Sequence, residues 1–590
     1  MTVPIPNFIQ VATSNYFNVG CSTCSPGHFN ANTYQVSDDV ILIRGKHEIG
    51  FGGDFRRLQA NLLTNTSTNG SFSFSGGYTG DSLADLLLGD MSGFSQGNPQ
   101  PDALRQSVIS FYGQDTFHAA RRLTLNFGLR WEPAEFPYDR FGRTPQFSQT
   151  AFNAGTISQA YPKAPAGLVF PGDTGSYQGK SQVKSYWFDV SPRIGLIYDP
   201  RGDGKQNIRA GFALMHDTGM LYYPERWTYS PPFASQIILT NPVGDSFSNP
   251  WAGQPGGNPF PGASFFPIGG SYYIIPTDMK PIYEMQWNLN IQRQLGRDWL
   301  AQVGYLGTRS VHIWSAYDIN PSVYIHGSTA PANKRRLLYL QNPAAGQYYG
   351  GIYSGDPGGH GKYDALLLTL QHGFAKHFQI TSNYTWSHCI SDADLTGEVA
   401  GTFREDPYSL SRESGNCYFD VTSLFNLSGV ATAPDLGAGI TQMLVRNWQF
   451  SPIVTWHSGN VLNITDGGVD ISGTAQLNDR PNQILANPYP STKTTSQWFN
   501  PAAFAKQAAG TFGNVHRNSL YGPGAFDLDV SLSRVFHLEK VGLMFRVNAF
   551  NALNHPIWGN PTTSITSAQF GKITTFGQPR ILQVGAKVMF

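Results

Sequence analysis

The sequence predicts an all-β protein, specifically a large antiparallel up-and-down β-barrel that crosses a membrane. Three observations predict it: long segments in which apolar and polar residues alternate, short turns that alternate with long polar loops, and an unusual composition. Charged residues make up 13% of the 590 residues and aromatic residues another 13%, whereas soluble proteins average about 25% charged residues. The formal net charge is only +1, so a nucleic acid is not an expected partner.

The alternation of apolar and polar residues is clearest in residues 526–533, where apolar side chains occupy the even positions and polar side chains the odd ones. Successive side chains of a strand point to opposite faces, so such a segment has one apolar face and one polar face. The same pattern predicts fifteen strands, most of them longer than the roughly 9 to 11 residues that a tilted strand needs to cross a bilayer. They are predicted at 33–44, 47–60, 105–118, 122–137, 188–199, 206–217, 281–295, 298–310, 362–374, 377–388, 423–433, 446–458, 525–537, 540–552 and 579–590.

The connections between these strands alternate in length. Short turns are predicted at 45–46, 119–121, 199–205, 296–297 and 538–539, and long polar stretches at 61–104, 138–187, 218–280, 311–361, 389–422 and 459–524. Outer-membrane barrels have short periplasmic turns and long outer loops, whereas a compact soluble domain rarely carries six loops of this length. On this interpretation the polar faces line a pore, with Asn288, Asn290, Asp527, Asp529, Arg546 and Asn548 among the pore-lining residues.

Tryptophans and the C-terminus fit the same prediction. Seven tryptophans lie in or beside predicted strands, as an aromatic girdle at the membrane interface requires, although buried core positions would give the same pattern. They are Trp131, Trp187, Trp287, Trp299, Trp386, Trp448 and Trp456. The last strand alternates Leu582, Val584, Val588 and Phe590 with polar or small residues and ends on an aromatic side chain. This pattern resembles the C-terminal signal read by the barrel-assembly machinery, so we expect that machinery and outer-membrane lipid as partners.

Enzymatic chemistry is not predicted. Gly93–Gly97 matches the GxSxG pattern of a hydrolase nucleophile, but that pattern requires a preceding strand and a following helix, and we expect a polar loop here. Asp199–Gly204 is predicted to be a turn rather than a calcium loop. Asp392, Asp394 and Glu398 are better calcium candidates, although a solvated acidic loop is the more expected structure. We therefore predict no catalytic, cofactor-binding or metal-binding residue.

The four cysteines form two local sets, Cys21 with Cys24 and Cys389 with Cys417, each in a polar segment. The CxxC spacing of the first set is half of a zinc site, but the second CxxC that such a site needs is missing. Structural disulfides are the preferred prediction for all four residues, with a redox dithiol as the alternative for the first set.

An ordered series of motifs resembles the barrel of Oar-like TonB-dependent receptors of the acidobacterial type. The motifs are HEIGFGGDFRR (47–57), LADLLLGD (83–90), YGQDTFHAARRLTLNFGLRWEP (112–133), SPRIGLIYDPRGDGKQNIRAGFAL (191–214), NCYFDVTSLFNLSGVATAP (416–434), FNALNHPIWGNP (550–561) and FGKITTFGQPRILQVGAKVMF (570–590). The resemblance implies ligand binding and transport across the outer membrane of a Gram-negative cell, by a barrel of about 22 strands that encloses a plug. No plug, TonB box or signal peptide is identified, so we expect a barrel fragment with about 16 to 22 strands in the full family and fewer here.

The resemblance also predicts how the chain is divided. Residues 1–30 are expected to form an N-terminal loop and residues 31–590 the barrel, and the TonB complex would be a partner only if a plug and a TonB box lie upstream. The ligand is not predicted. Two alternatives from other classes stay open: a secreted or surface-attached all-β adhesin or glycan-binding protein, and a β-rich polysaccharide hydrolase. The hydrolase would need a pair of carboxylates about 5 to 10 Å apart.

Overall fold

Fifteen long strands form the wall of the molecule. The computed structural model describes residues 8–14, 16–20, 27–65, 68–76, 78–177, 179–217, 221–240, 244–253, 257–260, 265–375, 377–393, 404–434, 445–476, 479–538 and 541–590. In chain order the wall strands are β1 His28–Arg44, β2 His47–Thr64, β3 Gln100–Ala120, β4 Leu123–Trp131, β5 Val190–Tyr198, β6 Gln206–His216, β7 Tyr283–Leu295, β8 Trp299–Asp318, β9 Tyr349–Ala375, β10 Phe378–Ser391, β11 Ser423–Thr432, β12 Trp448–His457, β13 Ala525–Leu538, β14 Val541–Phe550 and β15 Ile581–Met589.

Each wall strand pairs antiparallel with the next strand in the chain, from β1 to β15. The short strands Tyr138–Asp139, Gly270–Ile274 and Gly415–Asn416 complete an 18-stranded sheet. The predicted class, a large antiparallel barrel, is confirmed, and each wall strand overlaps one predicted segment. Several strands are longer than predicted. Strand β9 begins at Tyr349 rather than at 362, because its glycine-rich first half lacks the alternation of apolar and polar residues.

The first and last wall strands behave as edges. Every residue of β1 is exposed, and so is every residue of 581–588 in β15. Within the described residues the paired registers join β1 with β2 and β15 with β14, and no register joins β1 with β15. Leu582, Val584 and Val588 therefore lie on an open strand, and Phe590, which follows the strand, is fully exposed. Unpaired backbone groups in hydrocarbon cost several kcal/mol each, so this seam needs a partner in a membrane.

The two faces of the wall differ as the alternation predicts. In β7, Leu289 and Ile291 point to the exposed face, while the side-chain amide of Asn290 on the other face donates to the side-chain Oδ1 of Asn288. Aromatic side chains lie at both ends of the apolar face. Trp287 donates to Tyr305 near the long loops, and Trp299 packs on His372 near the short turns. The nine residues from Trp287 to Leu295 span about 27 Å along the strand, close to the roughly 25 Å apolar band of outer-membrane barrels.

The connections at one rim are long, and we call them L1 (65–99), L2 (132–189), L3 (217–282), L4 (319–348), L5 (392–422), L6 (458–524) and L7 (551–580). The other rim, which we call the short-turn rim, has connections of two to fifteen residues: 45–46, 121–122, 199–205, 296–298, 376–377, 433–447 and 539–540. The long and short connections therefore alternate as predicted, and L7 is a seventh long connection that the sequence analysis did not identify.

The long loops and the segment before β1 contain the helices and the remaining strands. The strands are Gln10–Thr13, Phe17–Val19, Ser71–Phe74, Gly93–Gly97, Gln146–Phe147, Leu168–Val169, Gln236–Thr240, Val461–Leu462, Asn482–Gln483, Phe504–Ala505 and Leu520–Tyr521, of which the first two precede β1 in the segment expected to be a loop. The α-helices are Ser82–Leu88, Gln149–Asn153, Tyr222–Glu225, Leu337–Gln341 and Pro343–Gly346, and the 3₁₀ helices are Arg226–Tyr229, Ala332–Arg335, Leu410–Glu413 and Pro501–Ala503. None of the helices in the described ranges is long and apolar enough to cross a membrane.

The long loops are packed layers rather than extended polar segments. Phe72, Phe94 and Trp251 are buried together where L1 meets L3. Trp498 and Phe499 of L6 are buried with residues of L7. Two further buried clusters join L2 and L3 to the upper ends of the wall strands. Aromatic residues in these loops supply the apolar surface of the clusters. The high glycine and proline content of the loops makes this apolar surface hard to recognise in the sequence.

Candidate ligand-binding lumen and loop layer

The polar face of the wall carries the predicted pore-lining residues. On β13 and β14 the Arg546 guanidinium donates to Ser531 Oγ at 2.9 Å and to Asn548 Oδ1 at 2.7 Å. The carboxylate of Asp529 accepts a hydrogen bond at 2.9 Å from the backbone N–H of Asn551, the residue that follows β14. These side chains share one face, because polar residues alternate with the apolar residues of the opposite face in both strands.

An ionic ladder crosses the same face on β2, β3 and β4. Arg56 lies between Asp54, at 2.7 Å, and Glu132, at 3.2 Å. Glu132 also accepts from Arg130 at 2.5 Å, and Arg130 donates to Ser110 Oγ at 2.6 Å. The sequence analysis did not identify this ladder. The two-residue spacing of Asp54 from Arg56, and of Arg130 from Glu132, was the available signal, because such residues share one face of a strand.

A small sheet caps the wall at L1 and L3. Its strand order is Gln236–Thr240, Gly93–Gly97, Ser71–Phe74, Gln10–Thr13 and Phe17–Val19. The indole N–H of the buried Trp251 donates to Gln96 Oε1 at 2.8 Å, which fixes L3 on this sheet.

The structure corrects the expectation that residues 93–97 form a polar loop. This segment is a strand between two others, in which Ser95 pairs with Ile238 on one side and with Ser71 on the other. The chain then enters β3 at Gln100 and not a helix. A nucleophile elbow needs a sharp strand-to-helix turn that exposes the serine, and this geometry does not provide it.

A second arrangement resembles a hydrolase triad only in its residue types. Ser191 Oγ lies 3.1 Å from His216 Nδ1, and His216 Nε2 lies 3.9 Å from Asp189 Oδ1. The longer distance exceeds a hydrogen bond, and Ser191 is only 5% exposed, so a substrate cannot reach its hydroxyl. In the part of the chain that the structure describes, no group of three or more His, Cys, Asp or Glu residues is placed to hold a metal ion.

Loops L5 and L6 are joined by a buried ionic latch, which we define as Arg480 with Glu405, Glu413 and Arg412. Arg480 is 2% exposed and contacts the carboxylates of Glu405 at 2.5 Å and Glu413 at 3.1 Å. Its guanidinium also donates to the backbone carbonyls of Arg412 and Val515. Burial raises the pKa of Glu405, and the positive charge of Arg480 opposes that effect. The latch thus holds the two loops in one arrangement.

The predicted cysteine and calcium sites lie beside this latch or outside the described residues. Cys389 at the end of β10 and Cys417 in L5 form a disulfide with a Cα–Cα distance of 5.4 Å. Cys21, Cys24, Asp394 and Glu398 lie outside the described residues. The carboxylate of Asp392 accepts a hydrogen bond at 2.6 Å from the backbone N–H of His360.

L6 also contains two buried carboxyl groups that form no ion pair with any residue that the structure describes. Asp466 and Asp479 are each at most 1% exposed, and the backbone N–H of Asp466 donates to the Asp479 carbonyl at 2.9 Å. Burial raises the pKa of both carboxyls, and their proximity raises the pKa of Asp466 further. The two groups therefore make the loop layer sensitive to pH.

Comparison with known proteins identifies the fold. Residues 2–583 match the model of a family described as outer membrane beta barrel domain, which is a membrane barrel and not an enzyme family. No curated protein matches the chain. Among solved structures, it is similar to the outer membrane transporter YddB from Escherichia coli, with 11% identity, a TM-score of 0.50, and coverage of 95% of this chain and 54% of that one.

Two further solved structures are similar at lower scores. They are the ferripyoverdine receptor of Pseudomonas aeruginosa (10% identity, TM-score 0.45, 95% and 48% coverage) and the siderophore receptor PirA from Acinetobacter baumannii (11% identity, TM-score 0.44, 95% and 55% coverage). The chain thus spans about half the length of the structures that it matches.

Proposed function

Because the chain belongs to the outer membrane β-barrel family, we propose that it forms the barrel of an Oar-like TonB-dependent receptor. In this proposal the loop layer binds a ligand outside a Gram-negative cell, and the polar lumen passes it across the outer membrane. Residues 31–590 are assigned to the barrel and residues 1–30 to the segment before it. The TonB complex is a partner only of a chain that also has a plug and a TonB box.

The observation that carries the proposal is the combination of a charged inner face with a loop layer folded over one rim. The ionic ladder from Asp54 to Arg130 and the polar cluster around Arg546 need water or a polar ligand, because neither is sequestered in a dry core. The loops above them are fixed by buried aromatic clusters and by the latch at Arg480. A fixed loop surface above a polar lumen suits selective capture followed by passage, since preorganised loops lose less entropy on binding.

Fractionation and uptake test this proposal together. We expect the protein in the detergent-extracted outer membrane, with an electrophoretic mobility that changes on heating, as folded membrane barrels show. A strain without the gene should lose uptake of at least one compound from a panel of ferric siderophores, oligosaccharides and peptides. A protonophore should abolish the same uptake in the parent strain, because transport through TonB uses the proton gradient of the inner membrane.

Recovery of the protein entirely in the soluble fraction, with no heat-modifiable band, would refute the membrane location and favour the adhesin alternative. Membrane insertion with panel uptake that a protonophore does not affect would retain the barrel and refute the TonB-dependent mechanism. Complementation with a gene that encodes Lys506→Met serves as the control, because this exposed lysine in L6 lies outside the lumen and the latch.

A further inference from the structure

A second polar site lies on the inner face at the short-turn rim. A groove of about 490 Å³ opens there between the ends of β6, β7, β8 and β9. Its lining includes three cations, Lys205, Arg209 and Arg297, one carboxylate, Asp298, and four amide side chains, among them Gln292 and Gln371. Three positive charges and one negative charge give the lining a net charge of +2.

The register of the strands places this groove on the lumen side of the wall. Arg209 in β6 pairs directly with Asn290 in β7, and directly paired residues of antiparallel strands share a face. Asn290 belongs to the polar face, opposite Leu289 and Ile291. Gln292 follows two positions later on the same face. The groove therefore faces the lumen and not the lipid, which excludes a lipid headgroup as its natural occupant.

The three cations of the groove differ from the two arginines of the ionic ladder. Arg56 and Arg130 each contact a carboxylate within 3.2 Å. Within the described ranges, the side chains of Lys205, Arg209 and Arg297 have neither an ion pair nor a hydrogen bond. The three cations outnumber the single carboxylate of this concave site, so they repel one another and raise the local concentration of anions. An anion bound between them relieves that repulsion and supplies hydrogen-bond acceptors.

We propose that this groove binds a soluble anionic ligand with at least two acidic groups, either phosphates or carboxylates, near the end of the lumen. The inference rests on the proposed function, because it concerns what the lumen accepts. A guanidinium presents paired N–H donors that match two oxygens of a phosphate or carboxylate, and two of the cations are arginines. The amides add neutral donors for further oxygens. A groove of this volume is typical of small-molecule sites and is larger than a single phosphate requires.

Calorimetric titration with inorganic pyrophosphate tests the inference on the detergent-extracted protein in a phosphate-free buffer of low ionic strength. We expect saturable binding of one pyrophosphate per chain, weakened by added salt. The double variant Arg209→Gln/Arg297→Gln should bind at least about tenfold more weakly, because it removes two of the three positive charges and their charge-assisted hydrogen bonds to the ligand. Arg209→Lys keeps the charge but removes the paired donors, so its affinity for pyrophosphate should lie between that of the wild type and that of the double variant.

Arg121→Gln is the matched control, since Arg121 is an exposed cation in another turn of the same rim. Its affinity for pyrophosphate should equal that of the wild type. An equal loss in Arg121→Gln would show nonspecific attraction to the rim and would overturn the inference. The inference would also be overturned if the wild-type protein shows the heat-modifiable band but binds no pyrophosphate. A folded double variant that binds pyrophosphate as tightly as the wild type would overturn it too. These outcomes leave the membrane location intact, whereas absence of the protein from the membrane refutes the proposed function itself.

Discussion

The latch between L5 and L6 makes a strong prediction for the variant Arg480→Met. Methionine is close to arginine in length and fills most of its volume, but it carries no charge and no donor. The change leaves the carboxylates of Glu405 and Glu413 buried without their main cation and leaves the carbonyls of Arg412 and Val515 without a donor. Both loops should then separate more often, while the wall strands keep their pairing.

The size of this effect follows from the burial of the pair. Removal of one partner from a buried ion pair costs about 3 to 5 kcal/mol, because it leaves an uncompensated charge. Arg412 remains 3.3 Å from Glu405, so we expect the lower end, about 3 kcal/mol. That free energy corresponds to a roughly 150-fold larger population of the open loop arrangement. Replacement of Glu405 by Gln in the same variant removes one stranded charge and should recover part of the loss.

Limited proteolysis of the detergent-extracted protein measures this population, provided that the loops reclose faster than the protease cleaves. The cleavage rate within L5 and L6 should rise by about two orders of magnitude in Arg480→Met. Lys506→Met is the control, because it removes an exposed cation from the same loop and should change the rate by less than about threefold. A rate for Arg480→Met within threefold of the wild type, like that of the control, would refute the argument that the latch holds the loops.

Three other predictions concern pH, the wall and the C-terminus. Asp466 and Asp479 keep protons in the folded loop that the unfolded loop releases, because their pKa values are raised in the folded loop. Protection of L6 from protease should therefore be greatest below the ordinary pKa of 3.8 and should fall as the pH rises toward the raised pKa values. Asp466→Asn should flatten this pH profile, and a profile unchanged from the wild type would contradict the prediction. Ile291→Arg places a charge on the apolar face and should destabilise the barrel by about 2 to 4 kcal/mol in urea unfolding from vesicles. Asn288→Arg, on the polar face opposite Gly211, should change stability by less than about 1 kcal/mol, and equal effects of the two variants would show that the faces are wrongly assigned. Deletion of Phe590 should reduce the fraction of heat-modifiable barrel in cells, whereas Lys587→Gln on the opposite face of β15 should not.

The wall was predictable because a single physical rule determines it. Alternation with a period of two places every other side chain on the apolar face, and this rule located all fifteen wall strands and the polar positions such as Asn290 and Asp529. It missed the first half of β9, where glycines leave no side chains to alternate. The aromatic ends of the apolar face, at Trp287 and Trp299, were also visible in the sequence.

The loop layer and the groove were not predictable by the same rule. The latch joins Glu405 to Arg480 across 75 positions of the chain, and no local spacing connects them. The groove brings residues 205 and 371 together only because four strands pair in one particular register. The strand at 93–97 appeared as a loop, because its partners, Ser71–Phe74 and Gln236–Thr240, are distant in sequence. Contacts of this kind depend on tertiary pairing and not on local composition.

The length of β9 has a consequence for what the protein meets outside the cell. Its 27 residues extend for about 90 Å along the strand, whereas a bilayer crossing uses about 11 residues, or roughly 36 Å. The surplus residues extend the wall beyond the hydrocarbon on the side of the long loops, so a ligand or partner that approaches from that side would meet the loops before the membrane-embedded wall.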